Sequence, residues 1–147
     1  MTEATSYDTD FHAWALRNAE LLREGRLDEL DVEHIAEELE SMGASERREL
    51  LNRLQVLLLH LLKHQYQPER RGKSWQLTIN HQRTAIERLL EQSPSLARML
   101  GAENLGKVYR KAVRDAVIET DLDGHLFPDD CPYSLEQLLA DDWLPDD

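Results

Sequence analysis

The chain has 147 residues, 29 acids against 17 bases for a formal charge of −12, and a single cysteine. A chain of that length fits one domain and buries roughly two thirds of its unfolded surface, so it needs neither metal nor disulfide to hold a core. Cys131 alone excludes an intramolecular disulfide and the usual zinc-finger spacings. The acidic surplus argues against broad binding to nucleic acid, which needs cations facing phosphates.

The opening MTEATSYDTDF lacks the basic region and apolar run of a signal peptide, and no later segment supplies the roughly 20 apolar residues of a membrane span. The expectation is a cytoplasmic protein with no membrane partner, flexible over residues 1–6. Asp8, Thr9 and Asp10 offer a cap for a first helix, which carries Phe11, Trp14, Ala15, Ala19 and Leu22 on one face and stops at Gly25. Leu27 and Leu30 are expected to tuck against the core. A second helix, capped by Asp31, points Ile35, Leu39 and Met42 inward, presents an acidic outer face and ends at Gly43.

Ser45 caps the next predicted helix, Glu46 to Gln67, which Pro68 ends. Leu50, Leu54, Leu57, Leu61 and His64 form one stripe, and Leu51, Leu58 and Leu62 another, so this helix is covered on more than one side and forms the central pillar. After the loop PERRGK, Ser74 offers the cap of a helix reaching Gln92, with Trp75, Ile79, Gln82, Ile86 and Leu89 or Leu90 inward. Ser93-Pro94 starts a short helix through Leu96, Met99 and Leu100 to Gly101. Another carries Leu105, Val108, Tyr109, Ala112, Val113, Ala116 and Val117 and stops near Thr120. Residues 121–147 form a loop-rich acidic tail, with Ser134 and Gln137 as a capping box for one short helix. The fold class is all-α: a single-domain bundle of about six or seven helices over residues 1–147.

Read in order, YDTDFHAWA, LLREG, IAEELESMGASERREL, LLLHLLKHQYQPERRGKSW, TINHQR, SPSL and FPDDCPYS followed by EQLL resemble the bacterial family named domain of unknown function twenty-nine. The resemblance runs from Tyr7 to about Trp143 and implies a compact all-helical bacterial protein with no established activity. His64 stands where that family usually has an aromatic residue, and His81 where it does not usually have histidine, so a site built on those two would be private to this protein.

Charge is distributed unevenly along the chain. Residues 1–45 carry 12 acids and 3 bases, residues 46–114 carry 6 acids and 14 bases, and residues 115–147 carry 11 acids and no base. The candidate anion- or ligand-binding residues are Lys63, Gln67, Arg70, Arg71, Lys73, Ser74 and Trp75, because guanidinium forks and a free helix N-terminus hold phosphates and carboxylates. The plainer reading pairs these bases with acids of the same chain, the tail folding back over Arg70, Arg71 and Lys73. His60 and His64, at i and i+4, could reach one metal ion with His81, or with His34, Glu37 and Glu38. The zinc-protease and di-iron motifs are absent, so neither metal nor cofactor is expected. Asp129, Asp130 and Cys131 near His125 invite a nucleophile, but flanking acids raise a thiol pKa.

With no catalytic motif, the sequence points to a non-enzymatic interaction or accessory module whose partner is another protein. The alternatives are a metal-binding protein or enzyme built on His60 and His64, and an anion or nucleic-acid binder built on Arg70 to Lys73.

Overall fold

The computed structural model describes residues 6–146. The flexible start expected over residues 1–6 therefore lies outside the described residues, except for Ser6. Every regular element among the described residues is helical. There are five α-helices: α1 Phe11–Arg23, α2 Val32–Tyr66, α3 Lys73–Gln92, α4 Ala102–Thr120 and α5 Leu135–Leu139. They are joined by short 3-10 turns, the longest of them Pro94–Leu100. The chain is an all-α bundle, and it divides into two compact units, one ending at Ala44 and the other beginning at Ser45.

In the first unit, Asp10 caps α1 by accepting from the Ala13 amide at 3.0 Å. Gly25 stops the helix. Its φ of 72° lets the Arg26 amide reach back to the Leu21 carbonyl and its own amide to that of Leu22, which uses up two open helix-end acceptors. The buried face of α1 is Trp14, Asn18 and Leu21. This corrects the expected stripe: Phe11 and Leu22 stand exposed, as do Leu27, Leu39 and Met42.

The sequence also predicts a break at Gly43 and a fresh start at Ser45. Instead α2 is one helix of 35 residues. Gly43 does not take a positive φ. A glycine inside a helix costs only about 1 kcal/mol relative to alanine, and Ala44, Glu46, Arg47, Arg48 and Glu49 are good helix formers on its C-terminal side. Glu46, released from any role at a helix start, accepts a hydrogen bond from the Ser93 hydroxyl at 2.7 Å.

The second unit is built on the C-terminal part of α2, as the apolar pattern requires. Leu50, Leu54, Leu57, Leu58, Leu61 and Leu62 are fully enclosed, packed in one cluster with Ile79 and Ile86 of α3, Val108, Tyr109, Ala112 and Ala116 of α4, and Leu138 of α5. Gln82, the one polar residue in the inward stripe of α3, is explained by Arg53, whose Nη1 donates to its Oε1 at 3.2 Å. The expected Ser74 cap is replaced by Gly72, two residues earlier, with no side chain closing the helix. The capping box of Ser134 and Gln137 is present as predicted, both hydrogen bonds made.

The tail packs back as a strap. Tyr109 donates to the Pro128 carbonyl at 2.6 Å, Tyr133 donates to Gln65 Oε1 at 2.6 Å, and Phe127 meets Tyr66 edge to face. Arg83, missed as a core position, is buried and holds the end of α5.

Candidate functional site

The basic loop after α2 is partly consumed by its own unit. Lys63 is only 12 % exposed in its side chain; its Nζ lies 2.8 Å from Glu119 Oε1 on α4 and 5.2 Å from the centre of the Trp75 ring. Arg71 Nε donates to the His64 carbonyl at 2.6 Å, satisfying an open acceptor at the end of α2. Gln67 is buried. Arg70, Lys73 and Ser74 remain exposed around the start of α3. Of the seven candidate residues, then, Lys63 and Trp75 are brought together, the ammonium over the ring, and Lys63 serves an intramolecular ion pair.

The histidines take separate roles. His60 sits with Nδ1 2.9 Å from the Val56 carbonyl, so Nδ1 carries the proton; burial lowers the pKa of its ring. His64 is buried, and His81 is exposed on α3. Among the described residues no three His, Cys, Asp or Glu side chains gather as a metal site. Cys131 is half-buried and its thiol is pushed up by that burial, which makes it a poor nucleophile at neutral pH.

The first unit holds a polar and aromatic cluster that the sequence only hinted at through His34 and Glu38. Asp31 Oδ2 accepts from the Trp14 indole at 2.9 Å and lies 2.7 Å from His34 Nδ1. The Asp31 amide donates to Asn18 Oδ1, whose amide nitrogen in turn donates to the Trp14 carbonyl. The Tyr7 ring stacks on His34 at 4.1 Å, and its hydroxyl donates to Glu38. Burial alone would raise the Asp31 carboxyl, but its bonds to His34 and Trp14 outweigh that and hold it below the ordinary range. The same bond raises His34, and the Glu38 contact pushes Tyr7 up to about 12. An Asp-His pair is half of a proton-transfer triad, yet among the described residues no hydroxyl or thiol is bonded to the His34 ring. The geometry fastens α1 to the start of α2.

Two surface features carry more. Val32, Leu39 and Met42 are each more than 60 % exposed on α2, and Glu33, Glu37 and Glu40 are exposed on the same turns of α2, about a quarter turn or more round the helix from that apolar strip. Seven of the ten large apolar side chains exposed among the described residues belong to this shorter unit. In the second unit, Lys107, Lys111, Arg114 and Ile118 recur at spacings of four, three and four on the outer face of α4, with Arg110 beside them, all exposed. Among these cations, within the described residues, only Lys107 has an ionic partner, Glu103 at 3.6 Å. The ridge lies outside the residues expected from the loop at Arg70, although its period is legible in KVYRKAVRDAVI.

Residues 6–144 match the family model described as Domain of unknown function DUF29. The chain belongs to that family. The match covers nearly all of the sequence and includes every helix of both units. For this DUF29 protein no curated protein and no solved structure matches. Among the described residues no helix is long and apolar enough to cross a membrane.

Proposed function

We propose that this DUF29 protein is a non-enzymatic interaction module, and that the first unit is its docking element. The observation that carries this reading is the concentration of exposed apolar side chains in the shorter unit, where Val32, Leu39 and Met42 line one side of α2. A helix normally turns such a stripe inward, because each large apolar side chain kept from water contributes about 1.5–3 kcal/mol. Among the described residues of this unit, only Trp14 and Leu21 are buried apolar residues. A surface that leaves this much unclaimed is suited to a protein partner. The absence of any assembled nucleophile at the His34 pair is in keeping with binding rather than turnover. The setting we propose is the bacterial cytoplasm, on the strength of the single cysteine and the family resemblance.

The test places a photo-crosslinking side chain at position 39 of the full chain in living cells, with position 84 on the exposed side of α3 as the control. A discrete protein adduct from position 39 and none from position 84 supports the reading. Equal, diffuse labelling from both positions overturns it.

A further inference from the structure

The acidic apolar strip of the first unit and the basic ridge of α4 are opposites carried by one chain. We propose that the partner of the first unit is a second copy of this protein, which receives the strip on its α4 ridge; this rests on the docking reading given above. Three observations converge. Glu33 and Glu40 are exposed about a quarter turn round α2 from Val32 and Leu39, in a segment that carries nine more acids than bases. Lys107, Lys111 and Arg114 are exposed on one face of α4, a ridge of the opposite sign to the first unit, in a protein whose formal charge is −12. Ile118, the most exposed large apolar side chain described at 75 %, continues that same ridge and gives the strip an apolar counterpart.

Charge complementarity selects the partner and its orientation, while the apolar residues supply the holding power, since exposed ion pairs contribute only about 0–1 kcal/mol each. Nucleic acid fits the ridge less well. The overall charge repels phosphates, the ridge offers no aromatic ring for a base to stack on, and Ile118 would be wasted against a phosphate backbone. Because the strip and the ridge are different patches, the contact between copies is heterologous, and every copy brings both halves of it.

The experiment is sedimentation of the full chain over a wide concentration range, at low and high salt, for the wild type and two charge-reversed variants. One variant carries Glu33→Lys with Glu40→Lys; the other carries Lys111→Glu with Arg114→Glu. The expected result is a wild type that self-associates and falls apart at high salt, two variants that are each monomeric alone, and association restored when the two variants are mixed. Mixing works because it returns opposite charges to both contacts. Circular dichroism confirms that each variant is folded, and Ile118→Glu alone offers a second, milder disruption. A wild type that is monomeric throughout overturns the proposal. If that monomer still gives a discrete protein adduct from position 39 in cells, the docking face survives with a different partner. Self-association indifferent to salt and to both reversals also overturns it, as does a monomer whose ridge binds RNA and loses it on Lys111→Glu with Arg114→Glu.

Discussion

Arg83 Nε donates to the Leu138 carbonyl at 2.9 Å, and its Nη2 donates to that of Gln137 at 3.0 Å. Two residues far apart in sequence are thus joined where α5 ends and its last carbonyls lack helical partners. Burial lowers the pKa of this guanidinium, while Asp141 and Asp142 work in the opposite direction. One buried cation therefore holds down the tail.

Replacing Arg83 with methionine keeps much of the apolar stem and removes both donors. Bonds from a charged donor contribute about 1.5–3 kcal/mol, so Arg83→Met should lower stability by about that much in urea unfolding. Fluorescence should show why: Trp143, which packs edge to face on Tyr133, should become more solvent-exposed. An unchanged midpoint would remove Arg83 as the anchor.

The leucines from Leu50 to Leu62 and the α4 stripe from Val108 to Ala116 were legible because their spacing is the direct imprint of a core. Gly43 does not end α2 because it stays out of the left-handed φ with which Gly25 closes α1, and that choice depends on neighbours. Leu39 and Met42 misled for a deeper reason: periodicity shows that a face is apolar and does not show whether its own chain covers it. Arg83 was illegible because a polar residue is admitted to a core only by acceptors 54 and 55 positions away.

Leu58→Ala should cost about 2–5 kcal/mol, the range for emptying an enclosed leucine site. Chemical denaturation measures it. A loss below about 1 kcal/mol would mean that the cluster around α2 closes over the vacancy.

The two half-exposed histidines should titrate on opposite sides of the ordinary value of 6.5. His34, hydrogen-bonded to Asp31, titrates above it; His60, desolvated against Val56, titrates below. The sign follows for stability. The raised His34 contributes stability that is full below pH 6.5 and lost as pH rises through its folded value. The lowered Asp31 contributes stability present above its ordinary 3.8 and lost as pH falls through its folded value. The first unit should therefore be firmest in mildly acidic solution. Imidazole resonances followed by NMR across pH 4 to 9 would show it, and His34→Gln should abolish the loss on the alkaline side. Coincident titration of His34 and His60 near 6.5 would contradict the pairing.

Leu39→Glu should leave the fold nearly unchanged, within about 0.5 kcal/mol, because the side chain is 63 % exposed. Thermal melting checks this. A large loss would mean that Leu39 belongs to the core of its unit.

The proposed docking surface is the strip at Val32, Leu39 and Met42. Its most direct test is the apparent mass of the full 17.1 kDa chain in native cell extract, compared between wild type and the double variant Leu39→Glu with Met42→Glu. The wild type is expected to migrate as a complex, and the double variant, folded, as the single chain. Wild type and variant migrating together, whether both in a complex or both alone, would contradict it.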